Sequence, residues 1–126
     1  MSKPILQTTL RTRISHSDIH YGGGIASGAK VLELFGDVAT ELLIRHDGDE
    51  GLFRAYESVE FLAPVRAGDF LEVTGRLTRL GKTSREISFA AYKVIEGSTN
   101  PKKPTKARVL KKPILVAKAR GTCVVK

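Results

Sequence analysis

The chain has no tryptophan, one cysteine and one methionine among its 126 residues. A single cysteine, Cys123, excludes an internal disulfide and a cysteine-built zinc cluster. It lies in an apolar, strand-like run, so it reads as a buried thiol and not a nucleophile. No apolar run approaches the roughly 20 residues that a membrane-spanning helix needs. The opening Met-Ser-Lys-Pro-Ile-Leu lacks the apolar stretch of a secretory signal. A cytoplasmic location with no membrane partner is therefore expected.

Acidic residues are missing from Gly97 onward, while nine bases fall between Lys102 and Lys126. The other twelve bases and all thirteen acids precede Gly97, so the whole net charge of +8 comes from the last quarter. Such a patch attracts polyanions. Nucleic acid, a phosphorylated small ligand such as coenzyme A, and plain solvation would each account for it. No aromatic residue is interleaved with these bases, so no stacking platform for bases is present. Nucleic acid is not the expected partner.

What is present points to one α+β domain over residues 1–126. Residues 5–14 read as a strand rich in Thr and β-branched side chains. Residues 15–24, Ser-His-Ser-Asp-Ile-His-Tyr-Gly-Gly-Gly, read as a loop. One amphipathic helix spans about 26–45. Projected at 100° per residue, Ile25, Ala29, Leu32, Phe35, Val38, Ala39, Leu42 and Leu43 form its apolar face. Lys30, Glu33, Asp37, Thr40 and Glu41 form the polar stripe. Only strands follow. Short pieces are expected at 52–55 and 58–62, and an alternating strand at 70–80. A hairpin turn at Gly81-Lys82, its return strand at 84–95, an exposed excursion to Pro113 and a last strand at 114–125 complete the chain. Leu71, Val73 and Leu77 should face inward, as should Ile87, Phe89 and Ala91.

Four features carry candidate chemistry. The first is the loop His20-Tyr21-Gly22-Gly23-Gly24 leading into the helix. Backbone amides at a helix start stabilise developing negative charge, and the His20 imidazole could move protons. The bland reading is a loop His and Tyr with hydrogen-bonding duties only. The second is Asp37, with Glu41 one turn later. Asp37 follows Gly36 in mid-helix, a poor place for both by propensity, and a carboxylate over an apolar groove can serve as a base. Against it stands a solvated helix face. The third is Glu60, a carboxylate inside the apolar run Val-Glu-Phe, which simple alternation would put on the solvent side. The fourth is Lys82, Ser84 and Arg85 at the hairpin tip, where cations and hydroxyls can hold a phosphate or merely form a polar turn. No set of Cys and His falls at metal-ligand spacing, and no phosphate-loop or dinucleotide-binding glycine pattern occurs.

Taken together these segments resemble the hotdog-fold superfamily, and within it the small ammonia-lyases of β-aminoacyl-CoA thioesters. The resemblance runs from about Arg13 to Glu96. It is carried by Asp18-Ile19-His20-Tyr21-Gly22-Gly23, by Leu34-Phe35-Gly36-Asp37-Val38-Ala39-Thr40-Glu41-Leu42 and by Asp47-Gly48-Asp49-Glu50-Gly51-Leu52-Phe53. Glu60-Phe61-Leu62-Ala63-Pro64-Val65, Gly68-Asp69-Phe70 and Thr83-Ser84-Arg85 complete the set. It departs at the helix start, where family members carry asparagines and this chain has Gly24 and Ser27.

The resemblance implies a curled antiparallel sheet of about five strands around one long helix. It implies a homodimer with two CoA channels across the interface, often built into larger homo-oligomers. It implies reversible loss of ammonia from a β-aminoacyl-CoA, such as 3-aminobutyryl-CoA in lysine fermentation, with no cofactor beyond the CoA of the substrate. Amides at Gly22 to Gly24 would polarise the thioester. Asp37 or a nearby carboxylate would take the α-proton, and His20 or Tyr21 would assist ammonia departure. Glu41 or Glu60 would orient the substrate ammonium. The adenosine diphosphate end would lie against Lys82, Ser84, Arg85 and the basic tail. An acyl-CoA thioesterase and a non-catalytic acyl-CoA binder are the alternatives.

Overall fold

Between Ser27 and Gly48 apolar side chains recur three and four residues apart, and they form the single long helix α1 (Gly28–Asp47) of this computed structural model, which describes residues 6–126. Ser27 caps its start, with Oγ accepting from the Ala29 amide at 3.1 Å. Gly48 ends it at a φ of 70°, and its amide donates to the Ile44 carbonyl at 2.9 Å. Val31, Leu34, Phe35, Val38, Ala39, Leu42 and Leu43 are buried. The covered arc thus differs from the expected one. Ala29 is exposed, because it projects opposite an arc centred on Phe35 and Val38, and Val31 and Leu34 take its place.

Five strands form one antiparallel sheet: β1 (Gln7–Arg13), β4 (Leu52–Phe61), β5 (Phe70–Leu80), β6 (Ser84–Glu96) and β7 (Arg108–Val124). Their order is β1-β5-β6-β7-β4. Two short strands, β2 (Ile19–Tyr21) and β3 (Ile25–Ala26), form a separate ribbon just before the helix. This is the α+β hotdog arrangement, one helix and a five-stranded sheet. The inward alternation holds, since Leu71, Val73, Leu77, Ile87, Phe89 and Ala91 are all buried. Phe35 of the helix stacks on Phe89 of the sheet with ring centroids 5.0 Å apart. Each large apolar side chain so buried contributes about 1.5–3 kcal/mol over its exposed state.

Three boundaries differ from expectation. The pieces at 52–55 and 58–62 join into β4, with register shifts between Phe53 and Ala55 and between Tyr56 and Ser58. Those irregularities keep the ladder intact while blurring the alternation that marks a strand. The last strand begins at Arg108, six residues before Ile114, and runs through Pro113. Proline is tolerated there because β4 stops pairing at Phe61 with Ala117, leaving residues 108–113 bonded only towards β6. The expected first strand starts at Ile5, which lies outside the described residues; the observed one begins at Gln7. Cys123 is 2% exposed, and burial pushes its thiol up to about 11.

Candidate active site

The chain before the helix is held in place by backbone pairing. Ser27 donates to the Asp18 carbonyl at 3.2 Å, and Lys30 of the first helical turn reaches Asp18 at 3.6 Å and Glu33 at 3.2 Å. The hydrogen bond that Lys30 donates to Glu33 raises its ammonium above the ordinary range. On its other side β3 pairs with residues 65–67: Ala26 donates to the Val65 carbonyl at 2.7 Å and Ala67 to the Gly24 carbonyl at 3.2 Å. A single bridge, Ile25 to Arg66, sits at the centre of that pairing.

Two cavities flank it. The apolar one encloses about 480 Å³, with Tyr21, Ile25, Ser27, Gly28, Val31 and Phe61 in its wall. The amino end of α1 therefore forms part of its lining, and the helix dipole presents positive charge there. The Phe61 ring crosses the helix start, and a Cβ at Gly28 would stand 3.0 Å from it. Glycine at 28 lets the aromatic ring and the helix end approach one another. The second cavity encloses about 740 Å³ and is basic, with Arg13, His16, Arg66 and Lys106 in its wall beside Phe70 and the loop of residues 97–107. No acidic side chain lines it among the described residues.

A buried ion pair braces the partition between them. Lys93 Nζ lies 3.0 Å from Asp69 Oδ2 and donates to the Pro64 carbonyl at 3.0 Å. Asp69 also accepts from the Arg66 amide at 2.8 Å and the Gly97 amide at 2.9 Å. The pair thus ties the turn after Pro64, the start of β5 and the loop after β6 to one another. Both side chains are almost wholly buried, so they are stable only as a satisfied set. In the sequence Gly68 and Asp69 stood out as part of the family resemblance, and Lys93 was missed. The signal was there: Ile87, Phe89, Ala91 and Lys93 share one inward alternation.

The expected site residues separate into groups. His20 and Tyr21 stand together and exposed on β2, ring centroids 4.8 Å apart and edge-on. Gly22 to Gly24 form a tight turn beside them, with φ of 76° at Gly23 and 73° at Gly24. Asp37 is exposed on α1 and makes no side-chain hydrogen bond or ion pair among the described residues. It is nine residues past Gly28, roughly 14 Å along the helix axis.

Three of the expected residues are engaged by the protomer's own side chains. The Glu41 carboxylate accepts from Thr8 Oγ1 at 2.9 Å and from Arg45 at 2.8 Å. Arg45 holds that carboxyl below the usual range. Glu60 lies on the outer face of the sheet, opposite Lys118, and pairs with it at 3.3 Å. The alternation that buries Ala119 and Phe89 in the neighbouring register necessarily turns Glu60 away from the helix. Arg85 is engaged by Asp47 in two hydrogen bonds of 3.0 and 2.8 Å, and by the Gly81 and Ser84 carbonyls at 3.0 Å each. Planar guanidinium and carboxylate match each other, so the hairpin tip with Lys82 and Ser84 closes onto the carboxyl end of the helix. That end is roughly 30 Å along the helix axis from Gly28. Among the described residues no three His, Cys, Asp or Glu side chains gather as metal ligands, and no helix is long and apolar enough to cross a membrane.

Residues 23–96 match the model of the thioesterase superfamily. The 3-aminobutyryl-CoA ammonia lyase of Acetoanaerobium sticklandii is 55% identical over 120 residues, covering 95% of this chain and 94% of that protein. Among solved structures, the β-alanyl-CoA:ammonia lyase from Clostridium propionicum superposes with a TM-score of 0.92 at 33% identity, over 98% of this chain and 87% of that one. An acyl-CoA hydrolase from Staphylococcus aureus, solved with butyryl-CoA, CoA and CoA disulfide, gives a TM-score of 0.75 at 18% identity. It covers 94% of this chain and 65% of that one, a likeness of fold alone.

Proposed function

The chain belongs to the thioesterase superfamily, and within it we propose that the protein removes ammonia reversibly from a β-aminoacyl-CoA, converting 3-aminobutyryl-CoA to crotonyl-CoA. The observation that carries this reading is the 55% identity to an ammonia lyase over 95% of the chain. The apolar cavity at the amino end of α1 supplies what the chemistry needs. A thioester carbonyl directed at fixed backbone amides gains most when it becomes enolate-like, which acidifies the α-hydrogen. A base takes that proton, the C–H electron pair forms the Cα–Cβ double bond, and the C–N pair leaves with ammonia.

Asp37 is the proposed base. Of the three expected carboxylates, Glu41 is held by Arg45 and Thr8 and Glu60 faces outward, while Asp37 is unengaged among the described residues. Tyr21 in the cavity wall, or His20 beside it, assists the departing ammonia. Asp37 and the Gly28 end are too far apart on one helix to meet one substrate. The reading therefore makes the enzyme a homodimer in which Asp37 of one protomer serves the cavity of its partner, with larger homo-oligomers assembled from dimers. It needs no cofactor beyond the CoA of the substrate and operates in the cytoplasm.

Ammonia addition to crotonyl-CoA, followed by loss of the conjugated thioester absorbance, tests the activity. Release of free thiol without consumption of ammonia would make the protein a thioesterase instead. Asp37→Asn should lower kcat by about a hundredfold or more. Turnover within about threefold of the parent, under ~0.7 kcal/mol of barrier, would remove Asp37 as the base. Mixed assemblies of Asp37→Asn with Tyr21→Phe chains should regain activity that neither variant has alone, since some dimers then hold one intact site.

A further inference from the structure

We infer that the basic cavity lined by Arg13, His16, Arg66 and Lys106 binds the phosphate-bearing nucleotide end of the CoA thioester, in place of the hairpin tip at Lys82 and Arg85. The inference rests on the CoA-thioester reading given above and adds where the charged end of that substrate goes.

Three observations lead to it. The first is charge. Two arginines, a lysine and a histidine converge on one cavity with no acid in its lining among the described residues. Neither Arg13 nor Arg66 makes a side-chain ion pair there; Arg13 instead lies over the Phe70 ring at 5.9 Å. Cations gathered without counter-charges repel one another, an arrangement that a bound polyanion relieves. At the hairpin tip the opposite holds, because Asp47 already occupies the Arg85 fork.

The second is size and mixed character. At about 740 Å³ the cavity is in the range of small-molecule sites, and Ile19, Phe70, Pro101 and Pro104 give it apolar surface for a purine ring. The third is continuity. The apolar cavity holds Ile25 and Val65 in its wall, and the basic one holds Gly24 and Arg66. Their boundary is the one-residue bridge between Ile25 and Arg66. A thin chain crossing that bridge would join a thioester at the helix end to phosphates on Arg66. The buried Lys93–Asp69 pair holds this wall in shape, through the Arg66 and Gly97 amides that Asp69 accepts.

Calorimetric titration of the full chain with CoA, dephospho-CoA, 3′,5′-ADP and pantetheine tests the placement without relying on turnover. Arg66→Ala should weaken CoA and 3′,5′-ADP about tenfold or more and leave pantetheine unchanged, since only charged contacts are lost. Lys106→Ala, on an exposed loop where misfolding is not a concern, should do the same to a smaller extent and flatten the salt dependence. Arg79→Ala removes the same charge elsewhere and should change neither. The proposal is overturned if Arg66→Ala and Lys106→Ala both bind CoA within about twofold of the parent. It is equally overturned if Lys82→Ala is the variant that loses CoA. Should CoA binding fall as expected while no substrate releases ammonia, the cavity stands and the lyase reading fails.

Discussion

The two ends of helix α1 use similar residues to opposite effect. At the carboxyl end the Arg85 guanidinium and the Asp47 carboxylate already satisfy each other. Arg85 holds Asp47 by two hydrogen bonds, His46 Nδ1 lies 3.2 Å from the same carboxylate, and Gly48 closes the last turn. Packing there is tight as well: a Cβ on Gly51, whose φ is 60°, would come within 2.5 Å of Leu43. At the amino end, Tyr21, His16, Arg66 and Arg13 border two cavities and have no ionic partner among the described residues. Basic residues beside a helix end therefore do not by themselves mark a ligand site. What distinguishes the ends is whether the protein has already satisfied its own charges, and only the unsatisfied end has anything left to offer a substrate.

The sharpest way to break this contrast is to disturb the buried, saturated ion pair of the amino end. Lys93→Met leaves Asp69 buried without its ammonium and should lower stability by about 3–5 kcal/mol, read as a shifted urea midpoint. Adding Asp69→Asn should recover part of the loss. A change below about 1 kcal/mol in the single variant would mean that water or another cation already reaches Asp69.

The carboxyl end should respond in stability alone. Asp47→Asn removes the partner of Arg85 and should cost about 1.5–3 kcal/mol, with kcat and CoA affinity unchanged. Its pH signature has a definite sign. Arg85 holds the Asp47 carboxyl below the ordinary aspartate range. The pair therefore contributes fully above about pH 4 and is lost as pH falls through the lowered folded value. Unfolding curves of parent and variant should converge in acid and separate towards neutrality. Lost catalysis with unchanged stability would show that this end serves the substrate after all.

The fold was legible because periodicity reports burial directly. The helix, the inward alternation of β5 and β6 and the hairpin between them all follow from it. The errors fell where periodicity is silent. Bulges split β4 in two, and Pro113 hid the first third of β7 because one-sided pairing leaves no pattern. Of the candidate site, the helix-start loop and Asp37 were singled out through residues that local propensity disfavours. Arg66 and Lys93 were passed over because a charge on a loop or strand looks solvated until a second segment, distant in sequence, is seen to face it. The Arg85–Asp47 pair was invisible for the same reason, since the two lie 38 residues apart.

The smallest effect is the most informative about the amino end. Ser27 Oγ accepts from the Ala29 amide and so occupies a donor at the wall of the apolar cavity. Ser27→Ala should cost about 1 kcal/mol in the ligand-free protein, the usual worth of a helix cap. If a thioester carbonyl uses the same amide, substrate will replace the missing hydroxyl, and the cost should shrink when crotonyl-CoA is saturating. Thermal unfolding of both proteins, with and without the thioester, measures the difference. An equal cost in both conditions would mean that the Ala29 amide never meets the substrate, and the polarising groups would then have to come from the Gly22–Gly24 turn instead of the helix itself.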